Sequence, residues 1–228
     1  MSQPSSYKTV LPRLIGITDR SLCSGDDYFR KIEEVCRSGL PALQFREKDL
    51  PFEEFCSVAA DVAAVAKCVS TKLFINIGAD AESIKRAEFA LKIGATGVHV
   101  PDGGIHLADL RRIVGSVWIG QSIHEETLGR IQSNDNHADF FILAPVWKSP
   151  DKFFSRPIDL ERFKAVCLTT SSPIFALGGI TPERAESVLR VGAYGFAIRS
   201  ALWKSSDAAE VLLQFRQILQ TERKEESI

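Results

Sequence analysis

What the chain lacks narrows its class first. No apolar run reaches the ~18 residues that a membrane-spanning helix needs. The opening residues, Met1 to Tyr7, are polar and lack the basic stretch and apolar segment of a secretory signal. No basic stripe is present, and 28 Lys and Arg nearly balance 29 Asp and Glu, which argues against nucleic acid as the main partner. The five cysteines (Cys23, Cys36, Cys56, Cys68 and Cys167) are odd in number, and none forms a CxxC pair or a Cys/His cluster with metal spacing. A disulfide framework is therefore not expected, and buried, reduced thiols in a cytoplasmic protein are. A Walker loop, a zinc motif and a Ser-His-Asp series are also missing.

What is there points to one architecture. The chain has 228 residues, 45% of them apolar, which suits one α/β barrel of about 200–250 residues. Short β-type runs alternate with helical segments. The runs are Leu14–Thr18, Ala42–Phe45, Leu73–Asn76, Gly97–Val100, Val117–Gln121, Asp139–Leu143, Pro173–Leu177 and Tyr194–Ile198. Several are apolar throughout, like Phe140 to Leu143, as expected of parallel strands covered on both faces. Between them, Pro51 to Lys67 and Ala81 to Ile93 read as helices, the second with Ile84, Ala87, Ala90 and Leu91 on its buried face and Gly94 as its stop. Thr181-Pro182-Glu183 reads as a helix start with a capping Thr, and Gly192 as that helix's end. Repeated βα units with right-handed crossovers predict a closed (β/α)8 TIM barrel. The expected domain is single, 1–228, with its core at about 12–204 and a charged tail from Gln220 that frays.

In such a barrel the residues just after each strand face the active site. After strand 2, Arg46 and Lys48 alternate, so both can face one side and hold a phosphate or pyrophosphate. After strands 7 and 8, Gly178-Gly179 and Arg199-Ser200 form two small polar loops, the usual place of a barrel phosphate site. After strand 5, Ser122-Ile123-His124 places a histidine where an acid or base is useful. His99 reads first as a core or rim histidine, and His106 and His137 as surface residues. The stretch from Ala144 to Lys152 reads as a lid whose Lys152 closes over an anion.

Taken in order, Ile17-Thr18-Asp19, Gln44-Phe45-Arg46-Glu47-Lys48, Gly97-Val98-His99, Gly120-Gln121-Ser122-Ile123-His124, Ala138-Asp139-Phe140, Lys152, Ala176-Leu177-Gly178-Gly179-Ile180 and Gly192-Ala193 resemble the thiamin phosphate synthase/TenI family from about Leu14 to Leu202. The resemblance implies a barrel that binds thiazole phosphate through the loops after strands 7 and 8. It also implies that Gln44, Arg46, Lys48, Asn76, Ser122 and Lys152 hold substrate. The family's synthase joins hydroxymethylpyrimidine pyrophosphate to thiazole phosphate with Mg²⁺ and carries an Asp after the strand 3 Asn and another after strand 4. Here those places hold Ile77 and Gly104, which offer no carboxylate, with Asp80 and Asp102 the nearest replacements. The TenI-like branch is a metal-independent thiazole tautomerase, and its catalytic histidine corresponds to His124. That branch is the expected activity, with no cofactor; Mg²⁺ enters only with the synthase alternative. A second alternative is a non-catalytic binder of thiazole phosphate. The expected partner is a small phosphorylated heterocycle, and a homo-oligomer is compatible with the sequence.

Overall fold

The computed structural model describes residues 10–23, 25, 27–134, 137–148 and 156–225. Eight parallel strands close into a barrel in sequence order: β1 (Leu14–Ile17), β2 (Ala42–Phe45), β3 (Lys72–Asn76), β4 (Gly97–Val100), β5 (Trp118–Ile123), β6 (Phe140–Leu143), β7 (Ile174–Leu177) and β8 (Gly195–Ile198). The ring shuts where β8 pairs with β1, Ile15 opposite Ala197. Helices α1 (Asp27–Arg37), α2 (Phe52–Cys68), α3 (Ser83–Lys92), α4 (Leu107–Val114), α5 (Gly129–Asn134), α6 (Leu160–Cys167), α7 (Pro182–Arg190), α8 (Ser200–Trp203) and α9 (Ala208–Glu225) complete the chain. The architecture is the predicted (β/α)8 TIM barrel, with each strand within two residues of its expected bounds.

Successive strand residues point to opposite faces. One set, including Leu43, Phe45, Ile75, Val98, Ile119 and Phe141, packs outward against the helices. The other set fills the interior: Ile15, Ile17, Ala42, Phe74, Phe140, Ile142, Phe175 and Ala197. Within that interior Phe74, Phe140 and Phe175 form a chain of edge-on aromatic contacts, with ring centroids 5.5 and 5.3 Å apart. Glycines make room for two of these rings. A Cβ on Gly97 would lie 2.8 Å from Phe74, and one on Gly120 would lie 2.2 Å from Phe140. The three phenylalanines fill the middle of the barrel, and a cavity lies above them at the carboxyl ends of the strands.

Two local expectations need correction. On α3 the buried residues are Ser83, Arg86, Ala87 and Ala90, whereas Ile84 and Leu91 lie outward, so the apolar face is rotated by about one residue. The cause is Arg86, whose guanidinium turns inward to Asp80 and the carbonyl of Ile77. The C-terminal segment does not fray at Gln220: α9 continues to Glu225, with Glu222 paired to Arg13 at the barrel base.

Candidate functional site

The inward parity that fills the barrel also builds its mouth. Gln44 and Arg46, Asn76, His99, Ser122 and His124, and Arg199 continue the inward-facing series of their strands. One cavity is lined by Gln44, Arg46, Lys48, Asn76, Ser122, His124, Gly178, Gly179, Arg199 and Ser200, so the predicted site residues meet there. Lys152, the expected closing lysine, lies outside the described residues. Sequence reasoning undervalued two further lining residues: His99, read first as a core residue, and Asp102, considered only as a replacement metal ligand. An acid two residues past the end of β4 was the available signal for Asp102.

The wall after β7 and β8 is made of backbone and one cation. Gly178 and Gly179 have φ of 100° and 65°, conformations that glycine adopts without penalty. The loop after β6 lies directly on them. A Cβ at Gly178 would stand 2.7 Å from Pro145, and one at Gly179 would stand 2.8 Å from Trp147. The same loop donates from Val146 N to Leu177 O and from Trp147 N to Gly178 O, at 3.0 and 3.1 Å. Thr181 occupies the N-cap position of α7 as predicted, but its side chain makes no capping hydrogen bond. Arg199 pairs with Asp19 at 3.3 Å and leads into α8, which begins at Ser200 beside the cavity.

The opposite wall holds charge that no described residue neutralises by contact. Among the described residues Arg46 makes no side-chain hydrogen bond or ion pair; only its backbone N–H is bound, to Thr18 Oγ1 at 2.8 Å. Burial and the nearby Arg199 charge push its pKa down, against the weaker pull of Asp19 and Glu47. Burial and Arg46 do the same to Lys48. Two like charges held together without a contacting anion form a strong anion receptor.

The two cavity histidines have opposite surroundings. β5 runs to Ile123, two residues beyond its expected end, so His124 directly follows the strand. Its Nδ1 lies 2.9 Å from Asp102 Oδ2. Asp102 is further held by Arg130 at 2.6 Å and by the Thr127 hydroxyl. Burial pushes the Asp102 carboxyl up, but bonds from Thr127 and His124 and the Arg130 charge outweigh it and hold its pKa below the usual range. His99 is fully buried, with Nε2 2.8 Å from Ser122 Oγ and no partner for Nδ1. Burial, helped by the charge of Arg46, lowers its pKa to about 3 and keeps the ring neutral.

Fold and mouth together define a (β/α)8 barrel protein with a polar cavity at the carboxyl ends of its strands and excess positive charge on the cavity wall. The model of the thiamine monophosphate synthase (TMP-TENI) family matches residues 14–202, and the chain belongs to that family of thiamin-biosynthesis enzymes. A relative from Aquifex aeolicus named "Putative thiamine-phosphate synthase 2" is 33% identical over 187 residues, covering 82% of this chain and 95% of its own length. The thiamine-phosphate synthase of Chloroflexus aurantiacus is 28% identical over 208 residues, covering 91% of this chain and 92% of its own. In three dimensions the chain is similar to the thiamine phosphate pyrophosphorylase of Pyrococcus furiosus, with a TM-score of 0.76 at 23% identity over 92% of this chain and 96% of that one. That last likeness speaks for the fold alone. No helix among the described residues is long and apolar enough to cross a membrane.

Proposed function

We propose that the protein is a thiazole tautomerase: it holds a thiazole carboxylate phosphate in the barrel mouth and moves one proton on it, without a metal ion. The phosphate would rest against Gly178, Gly179, Arg199 and Ser200, the loops that commonly bind phosphate in such barrels. The observation that carries this reading is the bond between His124 Nδ1 and Asp102. A carboxylate accepting from Nδ1–H selects the tautomer whose Nε2 carries a lone pair. That nitrogen would take a proton from one ligand carbon, and the imidazolium would return it at another position. The net change is an isomerisation, with no atom gained or lost.

The donor set around the cavity favours a reaction without a divalent cation. A magnesium ion is held mainly by carboxylates and substrate phosphates. Asp102 is already engaged by His124, Thr127 and Arg130, and Asp80 has both oxygens on Arg86. Glu47 accepts from Tyr28 and Arg20, and Asp19 from Ser21 beside its pair with Arg199. Ile77 is buried in the layer between sheet and helices, and Gly104 has no side chain to offer.

A second reading, thiamin phosphate synthase, is favoured by the names of the relatives and by Arg46 and Lys48, which suit a pyrophosphate. The two readings separate in one experiment. Pure protein is given thiazole carboxylate phosphate with a chelator, and separately both synthase substrates with Mg²⁺. Isomerisation that survives the chelator and falls in Asp102→Asn is the expected result. Robust thiamin phosphate formation without isomerisation would reverse the assignment. Tight binding with neither reaction would make the protein a non-catalytic binder.

A further inference from the structure

We infer that His99 is a positioning residue that commits the Ser122 hydroxyl to donate a hydrogen bond into the cavity. The inference concerns what the cavity floor recognises and stands whichever reaction the mouth performs. Its starting point is a buried atom without a partner: His99 Nδ1. The ring sits at 0% exposure, 6.0 Å from Phe140 and against Gly120, where a Cβ would come within 2.7 Å of that same nitrogen. The other nitrogen, Nε2, is 2.8 Å from Ser122 Oγ.

A neutral imidazole carries one proton, on one nitrogen or the other. A proton on Nδ1 would bury an N–H with nothing to accept it, an arrangement that folded proteins rarely tolerate. A proton on Nε2 leaves only a bare lone pair at Nδ1, which is the smaller loss. Burial and the neighbouring Arg46 charge exclude the doubly protonated ring near neutral pH. Nε2–H therefore donates to Ser122 Oγ, and the serine's own proton must go elsewhere. Among the described residues Ser122 has no other side-chain partner, and it lines the cavity. Gln44 lines the same cavity with its amide nitrogen also buried and unbonded. The floor thus presents two donors and asks for a ligand atom that has lone pairs and no proton, such as an unprotonated ring nitrogen or a carboxylate oxygen.

The tautomer can be read directly on the unmodified protein by ¹⁵N-histidine NMR. The expected result is a His99 ring protonated on Nε2 with Nδ1 bare, and protonation on Nδ1 would overturn the inference. Titration with thiazole phosphate as the probe supplies the second arm. Ser122→Ala should weaken binding by about three- to tenfold, the effect of one net hydrogen bond, with an unchanged melting temperature. His99→Leu should weaken it to the same degree, and the double variant should lose no more than either single one. His99→Gln, whose amide can still donate to Ser122, should bind as the wild type does. Additive losses, or a His99→Gln variant as weak as His99→Leu, would reduce His99 to a packing residue.

Discussion

The two ends of the barrel treat their cations in opposite ways. At the base, Arg111 on α4 places its guanidinium on the carbonyls of Gly115, Val117 and His137 and on the carboxylate of Asp139, at 2.7–2.9 Å. Arg13 bonds the Tyr194 carbonyl and pairs with Glu222. At the mouth, among the described residues, nothing bonds the Arg46 side chain, and Gln44 and His99 each keep an unbonded polar atom out of water. Unmet polar groups cost stability wherever they are buried. The groups at the base satisfy one another, whereas Arg46, Gln44 and His99 at the mouth do not, although Arg199 and Asp102 beside them are paired.

The sharpest way to break this contrast is at His124. His124→Gln keeps size and hydrogen bonding but removes an imidazole that can take a proton. Turnover should fall roughly 10²–10⁴-fold, the span of a general acid–base group, while the affinity for thiazole phosphate changes little. Wild-type turnover in this variant would remove His124 from the mechanism.

The next largest effect is expected at Arg46. Arg46→Met should weaken binding of the phosphorylated ligand by about tenfold to a hundredfold, the value of a charged hydrogen bond. The melting temperature should hold or rise, because the variant relieves burial and repulsion by Arg199. Calorimetric titration and a thermal scan measure the two together, and a stability loss without an affinity loss would invert the contrast. Arg111→Met at the base should do the reverse. We expect a loss of about 2–3 kcal/mol of stability, or roughly 5–10 °C in melting temperature, with kcat/KM unchanged.

A last effect, nil at neutral pH, is in the response to acid. The His99 pKa falls from an ordinary 6.5 to about 3 on folding. As the pH drops below 6.5 the unfolded chain takes up a proton that the folded ring refuses. This contribution to stability is complete above that value and declines toward pH 3, by at most about 1.4 kcal/mol per pH unit. Denaturant titrations of His99→Phe should lack this slope. A wild-type stability flat between pH 6.5 and 5 would mean that the ring is not dry.

Much of this was legible in the sequence because it depends on local period. Two-residue alternation put Arg46 with Lys48 on one side, where both line the cavity, and β-type runs located all eight strands. The legible part ends where a side chain answers to something distant in sequence. Arg86 turned α3 by reaching back to Asp80 and Ile77 in the loop before it. Glu222 met Arg13 across more than two hundred residues and kept α9 helical. Asp102 could be proposed as a metal ligand from its place after β4, but only the folded chain shows it bound to His124 on the next strand. His99 carried no sign of its orphaned nitrogen, since that depends on Gly120 and Phe140 closing around it.

The aromatic plug decides how the reaction can exchange matter with its surroundings. Phe74, Phe140 and Phe175 interlock beneath His99, and Tyr194 closes the chain edge-on against Phe175 at 5.3 Å. The rings are apolar and offer no polar atom to relay a proton between the mouth and Tyr194. On the proposed mechanism, a hydrogen that His124 removes stays at the mouth, beside the ligand it came from. The hydrogen taken from one carbon should therefore be returned to another before the solvent can replace it. In heavy water the product should carry less deuterium than free exchange would give.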